Sequence, residues 1–350
     1  MLKVSSIVNY LEEKYPSKFS FEWDNCGLQI GTRDREVSKA LLCLTLTSAI
    51  IEKAISEKVD LIVTHHPLIF KPLTMIDTSK YWGKNIELLL KNEICVYSLH
   101  TNFDVNVNGV SDVLAEKYGF TKTKVLSPMF TDLYKIVTYI PKDKFEEFKG
   151  KFLELNVGNL GNYSHCSFST SGEGTFLPNS EASPFIGQNG VLEKVDEIKI
   201  ETIVKDTDLD KVVSTMKSFH PYEEPAYDVF SIKNKDKSIG LGRYVVLDEE
   251  KRVEDFLSVF NGHLYGNVSL DRKVKRIAFS GGSGASLVAK VAAMDIDLFI
   301  TGDIDYHTAV DAEELGLSIL DIGHYESEMP AMYYLKSILT DKFSEIEFVI

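Results

Sequence analysis

Short apolar runs alternate with amphipathic segments over the first 126 residues of the chain. The runs are typical of strands that are buried on both faces of a parallel sheet, and the segments between them carry apolar side chains at helical spacing. The predicted strands are residues 40–46, 61–63 and 93–99, and the predicted helices are residues 1–15, 48–58, 85–91 and 111–118. This alternation indicates an α/β arrangement.

The same alternation returns near the C-terminus. Strands are predicted at residues 276–280, 297–303 and 317–322, with helices at residues 285–294 and 307–314. Residues 297–303 (Asp-Leu-Phe-Ile-Thr-Gly-Asp) closely echo residues 60–66 (Asp-Leu-Ile-Val-Thr-His-His). We therefore predict two related βαβ-rich halves that form one α/β core with a mainly parallel sheet.

The segment between the two halves has a different pattern. It reads as β-α-β, then a Gly/Ser-rich stretch at residues 169–190, then β-α-β again. This order is typical of a ferredoxin-like α+β unit. We predict a discontinuous core of residues 1–126 and 234–350, interrupted by an insert of residues 127–233.

Composition is that of an ordinary soluble globular protein, with 350 residues, 44% hydrophobic and 26% charged. No apolar run approaches the roughly 20 residues needed to span a bilayer. Residues 12–14 (Glu-Glu-Lys) interrupt the apolar positions of the N-terminal helix, whereas a secretion signal needs an uncharged apolar core. The four cysteines are far apart, which favours reduced thiols in the cytoplasm. A net charge of −14 argues against general binding to nucleic acids or anionic membranes.

Three clusters of polar side chains follow predicted strands of the core. They are the pair His65 and His66, residues 100–104 with His100 and Asp104, and residues 324–328 with His324 and Glu328. Ligands of open α/β sheets bind beyond the carboxyl ends of the strands, and imidazole with carboxylate suits Zn²⁺, Fe²⁺ or Mn²⁺.

Each cluster alone also has an ordinary structural explanation. In these explanations, one histidine of the 65–66 pair is a capping or hydrogen-bonding residue, Asp104 caps a turn, and His324 is a hydrogen-bonded loop histidine. We favour a metal site, because all three explanations would have to hold together on the strand ends of one sheet. We expect Glu328 to open the final helix, with Ser327 as its N-cap and Pro330 in its first turn. Its carboxylate could then bridge two metal ions.

Other motifs carry weaker signals. Residues 281–284 (Gly-Gly-Ser-Gly) could cradle a phosphate, but a plain tight turn is favoured because the motif lacks the Lys-Ser/Thr of a P-loop. Residues 220–225 (His-Pro-Tyr-Glu-Glu-Pro) read as a rigid edge or contact loop. His307 is either a helix-start residue or a support for a metal ligand. Cys26 has no nearby base in the sequence, which disfavours a nucleophilic role.

Six motifs together resemble the Nif-three-like family, whose members are commonly labelled GTP cyclohydrolase 1 type 2 homologues. The motifs are residues 23–28 (Trp-Asp-Asn-Cys-Gly-Leu), 64–68 (Thr-His-His-Pro-Leu), 100–104 (His-Thr-Asn-Phe-Asp), 220–225, 302–307 (Gly-Asp-Ile-Asp-Tyr-His) and 323–328 (Gly-His-Tyr-Glu-Ser-Glu). They span nearly the whole chain.

The resemblance implies a dinuclear centre of two divalent ions (Zn, Fe or Mn) and a toroidal homohexamer built as a trimer of dimers. His66, Asp104 and Glu328 would bind one ion, and His65 and His324 the other, with Glu328 bridging. The resemblance also implies that the insert is PII-like. Thr45 departs from the pattern, because many relatives have Asp there; an interaction that supports a ligand is therefore in doubt.

Three functions are consistent with these residues. The first is a GTP cyclohydrolase-type hydrolase that uses a metal-activated water to attack a purine nucleotide ring, with His100 as the catalytic proton shuttle. The second is a metal-binding regulatory or interaction scaffold in which the insert makes the contacts. The third is a metal-dependent hydrolase of another nucleotide or of a phosphoester.

Overall fold

The computed structural model describes residues 2–350, and the chain divides into two compact units. The first, here called the core unit, comprises the residues up to Met129 together with Ser238–Ile350, and the second, here called the insert, comprises Phe130–Lys237. The boundaries expected from the sequence alone were 127 and 233.

Within residues 2–350 the chain forms eleven α-helices, none of them long and apolar enough to cross a lipid bilayer. The helices are α1 (Val4–Lys14), α2 (Ser48–Ser56), α3 (Tyr81–Lys91), α4 (Thr101–Val105), α5 (Val110–Lys117), α6 (Phe145–Leu153), α7 (Leu209–Phe219), α8 (Val253–Phe260), α9 (Val288–Ala293), α10 (Tyr306–Glu314) and α11 (His324–Lys342).

The strands of residues 2–350 form two sheets. The strands are β1 (Gly27–Ile30), β2 (Lys39–Cys43), β3 (Leu61–Thr64), β4 (Cys95–Ser98), β5 (Lys124–Pro141), β6 (Ser167–Phe176), β7 (Glu193–Lys205), β8 (Tyr227–Arg252), β9 (His263–Gly266), β10 (Lys273–Ser283), β11 (Leu298–Gly302), β12 (Ser318–Asp321) and β13 (Glu347–Val349).

The N-terminal half of the core unit is built on a five-stranded sheet in the order β1-β4-β3-β2-β13. Strands β2, β3 and β4 pair in parallel, as predicted from their apolar runs. Every residue of β3 and β4 is buried, which explains why these runs are apolar without alternation. The edge strand β1 pairs antiparallel with β4, which the sequence pattern did not indicate.

The C-terminal half repeats this plan. Strands β10, β11 and β12 pair in parallel, and β9 adds antiparallel to β12. The echo between residues 60–66 and 297–303 therefore corresponds to β3 and β11, each of which pairs in parallel with a strand on both sides. The α/β character predicted for the core is confirmed.

The final helix α11 begins four residues earlier than predicted. Gly323, with a φ of 87°, precedes the first helical residue, His324, and Pro330 lies inside the helix rather than in its first turn. The proline lacks the N–H that would bond to the Glu326 carbonyl, a defect that burial of the helix outweighs. His324 and Glu328 consequently lie one turn apart on the same face.

The insert has the element order β-α-β-β-α-β, from β5 to β8, and its strands pair in the order β6-β7-β5-β8. This is the element order of a ferredoxin-like unit. The helices α6 and α7 contribute Phe148, Phe152, Val212 and Met216 to a buried cluster with the sheet. The Gly/Ser-rich stretch belongs partly to β6, and the loop proper begins after Phe176.

Candidate metal centre

The three polar clusters lie at the ends of β3, β4 and β12. Parallel pairing brings the ends of β3 and β4 together, but β12 belongs to the other sheet, so the single sheet expected from the sequence is wrong. His65 and His66 directly follow β3, whereas His100 and Asp104 come from the start of α4 after β4. Since the chain leaves β3 at His65, the two neighbouring histidines escape the strand alternation and approach the same site. His324 and Glu328 come from the first turns of α11.

Three histidines approach the Glu328 carboxylate, and Asp104 approaches one of them. His65 Nε2 lies 3.5 Å from Asp104 Oδ1 and 3.6 Å from Glu328 Oε1. His66 Nε2 and His324 Nε2 each lie 3.2 Å from Glu328 Oε2, and 3.2 Å from each other. Asp104 thus lies beside His65, and His324 lies beside His66.

The other ring nitrogen of each of these histidines is held by a neighbouring group. The Nδ1 atoms of His65, His66 and His324 lie 2.7, 2.7 and 2.6 Å from Leu99 O, Thr45 Oγ1 and Asp303 Oδ2, respectively. Metal-binding histidines usually have such a partner, which orients the ring and leaves Nε2 free to coordinate.

Two buried polar atoms of this cluster, His65 Nε2 and Glu328 Oε2, make no hydrogen bond within the described chain. Burying polar atoms without a partner is costly, so a bound species is expected to satisfy them. Ligand atoms around a tetrahedral ion with bonds of about 2.0–2.1 Å lie about 3.3 Å apart. The observed separations of 3.2–3.6 Å fit such an ion.

Charge at the cluster favours a cation. Burial opposes protonation of His65, but the Asp104 and Glu328 carboxylates outweigh it and raise its pKa to about 9. Glu328 and, after the opposing effect of burial, Asp303 raise the pKa of His324 to about 9. Burial raises the pKa of Asp104, whereas the histidines overcome burial at Glu328 and hold its pKa well below its usual range.

His100 stands beside the His65 and His66 rings, and ligand atoms of all three lie within 4.8 Å of one another. Its Nδ1 is 2.9 Å from Asp24 Oδ1. Burial opposes the charge of Asp24, but hydrogen bonds from His100 and Thr101 hold the pKa of this carboxyl well below its usual range. Asp24 therefore presents a fixed negative charge that orients His100.

Cys26 is unsuited to nucleophilic chemistry. Burial and the charge of Asp24 raise the pKa of its thiol to about 12, so the reactive thiolate is scarce at neutral pH. The thiol instead donates to Asp24 Oδ2 at 3.2 Å.

Residues 281–284 leave room for the Glu328 carboxylate because they are small. A Cβ at Gly282, where φ is 62°, would lie 2.4 Å from Glu328 Oε1. The N–H groups of Gly281, Gly282 and Gly284 donate to Ser111, Ser327 and Gly302, so they do not form a free phosphate cradle. The turn allows Glu328 to approach the backbone.

Sequence reasoning did not assign two supporting residues, Asp24 and Asp303. It placed in doubt a supporting interaction at Thr45, but the Thr45 hydroxyl lies 2.7 Å from His66 Nδ1. A signal for Asp303 existed, because the echo between the two halves aligns it with His66. His307 is the second residue of α10, and its ring lies 5.4 Å from the Tyr306 ring.

Fold and cluster together define a mixed α/β protein with a His/Glu group able to hold a metal ion. Residues 2–350 match the family described as Duf34/NIF3 (NGG1p interacting factor 3). The chain belongs to this family, as its motifs predicted.

Relatives support this membership over the whole length. The chain is 36% identical to "GTP cyclohydrolase 1 type 2 homolog" of Halalkalibacterium halodurans, covering 98% of this chain and 95% of that protein. It is 38% identical to the Bacillus subtilis protein of the same name, covering 92% and 88%. The crystal structure of a Bacillus cereus protein related to NIF3 is 36% identical with a TM-score of 0.87, covering 99% and 96%.

Proposed function

We propose that this protein is a metal-dependent hydrolase with a dinuclear centre of Zn, Fe or Mn ions. The observation that carries the proposal is the convergence of the five side chains, with His65 Nε2 and Glu328 Oε2 buried and without a hydrogen-bond partner.

We assign the residues to two ions by distance, a division that differs from the one implied by the family resemblance. His65, Asp104 and Glu328 Oε1 would hold one ion, and His66, His324 and Glu328 Oε2 the other. Bound there, divalent ions supply Lewis-acid activation of water and of the substrate.

His100 is the residue that we assign to proton transfer. Asp24 holds its Nδ1 and so leaves Nε2 facing the site to accept and return a proton. Both His100 and Asp24 come from segments that the core unit buries or half-buries, so the pair is held in place before any ligand arrives.

The substrate class that we propose is a purine nucleotide, in line with the name of the relatives. Trp23 and Phe70 support a planar substrate, because their rings are 58% and 43% exposed yet lie 6.2 and 6.4 Å from the His100 ring. Exposed aromatic rings at the edge of a polar site can stack on a nucleobase.

Metal content tests the centre. Protein loaded with Zn²⁺, Mn²⁺ or Fe²⁺ should retain two ions per chain after gel filtration, and Glu328→Gln should retain fewer. Glu326→Gln is the matched control, because Glu326 is an exposed carboxylate on the same helix. Equal metal content in the two variants would overturn the centre.

Activity tests the reaction separately. The loaded protein given GTP should release formate, and His100→Asn should keep its metal but lose about 10²–10⁴-fold in rate. A protein that holds two ions yet releases no formate with any of the three metals is not a GTP cyclohydrolase. A panel of other nucleotides and phosphoesters then identifies the reaction.

We also propose a toroidal homohexamer, a trimer of dimers, on the basis of family membership. Light scattering should then report a mass near six times the 39.4 kDa of one chain. A mass of one or two chains would exclude it.

A metal-binding regulatory scaffold is the second candidate function, with the insert as a PII-like contact domain. It is favoured by the element order of the insert and by a large cavity within it. Ser127 and Gly240 are adjacent in the core unit, so a short linker can replace residues 130–237. A hydrolase should keep metal and turnover after this replacement, whereas a scaffold should keep its metal and lose its partner.

A further inference from the structure

The insert contains a cavity of about 680 Å³ that the metal chemistry does not use. It is formed by the end of β6, the loop that follows it and residues 222–226. Its volume is in the range of pockets that bind small molecules.

The charge lining this cavity has a single sign. Five glutamates line it, and none of the lining residues is a lysine, an arginine or a histidine. The five are Glu173, Glu181, Glu197, Glu223 and Glu224. Of these five, only Glu173 has a basic partner within residues 2–350, Lys194 at 3.1 Å, and both of these side chains are exposed. The other four carboxylates leave a net negative field in the cavity.

Glu197 is held in a defined position at the wall. Its Oε1 accepts a 2.6 Å hydrogen bond from the Tyr222 hydroxyl, and its Oε2 lies over Gly174, where a Cβ would come within 2.1 Å. Burial and the charge of Glu197 raise the pKa of Tyr222, so its hydroxyl stays protonated and donates. One carboxylate is therefore oriented before a ligand binds.

Aromatic rings supply the rest of the wall. Tyr139, Phe176, Phe185 and Tyr222 all line the cavity, and the Phe176 and Tyr222 rings meet edge to face at 5.8 Å. Phe185 is 50% exposed, so its ring is open to a ligand. Aromatic faces attract cations, and they do so more strongly where carboxylates add to the field.

The carboxylates are too dispersed for a metal ion. Among residues 2–350, the groups of ligand atoms close enough to share one ion all lie in the core unit, at the candidate metal centre. A larger organic cation can satisfy separated carboxylates and stack on the rings at the same time.

We propose that this cavity binds an organic cation bearing an ammonium or guanidinium group, carried either by a free amine or by a Lys or Arg side chain of a peptide. The site is independent of the metal centre and of the proposed hydrolysis.

Calorimetry on the full-length, metal-loaded protein tests the site with two probes, spermidine and a short acetylated peptide amide containing two arginines. We expect saturable binding of at least one probe. The double variant Glu197→Gln/Glu224→Gln should bind at least about tenfold more weakly, because each lost charge-assisted contact is strong. The probe that binds more tightly identifies the source of the cation.

The matched control is Glu146→Gln/Glu154→Gln, which removes the same charge from exposed positions of the insert outside the cavity. Equal weakening in both double variants would show a general charge effect and overturn the site. Absence of saturable binding by both probes would also overturn it.

Two variants that keep the charge exclude misfolding as the cause. Gly174→Ala should displace the flexible end of Glu197 and weaken binding, while the chain keeps its unfolding temperature. Phe185→Leu should weaken binding about three- to thirtyfold through loss of the ring. Wild-type affinity in both variants would overturn the proposed cation site in this cavity.

Discussion

Single atoms decide the chemistry of the candidate metal centre. Each of the histidines at 65, 66 and 324 presents Nε2 to the cluster because a different group, a carbonyl, a hydroxyl or a carboxylate, holds its Nδ1. The strength of the centre should therefore depend on residues that never touch a metal ion.

Thr45 is the residue at which this can be tested most directly. Thr45→Val removes the hydroxyl that lies 2.7 Å from His66 Nδ1 while preserving the size of the side chain. We expect metal affinity to fall about 10–100-fold, measured by competition with a chelator. Thr45→Ser keeps the hydroxyl and should retain most of the affinity; a loss equal to that of Thr45→Val would disprove the orienting role.

Gly282 allows Glu328 to reach the cluster, and its replacement should affect metal more than folding. Gly282→Ala places a methyl group 2.4 Å from Glu328 Oε1 at a φ of 62° and should lower metal content. Gly316→Ala is the control, because its φ of 68° is similar but its surroundings are open. Both variants should lose about 1–2 kcal/mol of stability from the left-handed backbone. If both retain the full metal content, the close approach is unimportant.

Helices set the direction from which the ligands arrive. The α11 helix places His324 and Glu328 one turn apart, and the loop between β11 and α10 supplies Asp303 with a left-handed φ of 54°. Two residues later Asp305 caps α10 by accepting a hydrogen bond from Thr308 N at 2.8 Å. Neighbouring aspartates thus serve two different elements.

Substitutions of these two aspartates should have different effects on stability and on metal affinity. Asp305→Ala should cost about 1 kcal/mol in the free energy of unfolding through loss of the cap and leave metal affinity unchanged. Asp303→Ala should weaken metal binding about 10–100-fold, because His324 loses its Nδ1 partner, with a smaller effect on unfolding. Urea denaturation and chelator competition on both variants provide the measurements. The reverse outcome would contradict the assigned roles.

At the scale of the whole molecule, the folding stability of the insert should depend on pH through one buried histidine. His220 is 8% exposed, and burial lowers its pKa to about 4 although the Tyr139 backbone opposes the shift. The unfolded chain, with an ordinary pKa near 6.5, gains a proton before the folded insert does. Stability is therefore complete above about pH 6.5 and falls as the pH drops toward 4.

We expect a loss of about 1–2 kcal/mol across that window, reduced from the fully buried case by partial contact with solvent. Hydrogen exchange of peptides from β5 and β7 at pH 7 and pH 5 measures it. His220→Gln should remove this part of the pH dependence, whereas His165→Gln, at an exposed ion pair with Glu154, should not. An unchanged pH dependence in His220→Gln would reject the assignment.

Local pattern predicted much of this architecture because its physical cause is local. Apolar runs such as residues 61–63 identify buried strands, and Gly119 ends α5 with a φ of 86°. The predicted start of α11 was wrong because proline prefers the first turn of a helix. Packing of α11 against the core instead holds Pro330 in the middle of the helix. The antiparallel edges β1 and β9 have no distinctive pattern, since most of their residues are only partly buried and neither strand is a continuous apolar run.

The amino-acid order by itself determined the α/β class, the family, and the placing of imidazoles and carboxylates just past strand ends. Strand and helix periodicities and short motifs act over a few residues, so they can be seen in the chain. Only the tertiary structure decided that His66 meets His324 across 258 positions, that Asp104 lies by His65, and that Gly282 gives Glu328 its place. Those contacts depend on how separate strands and helices pack, and no local pattern specifies a distance of this kind.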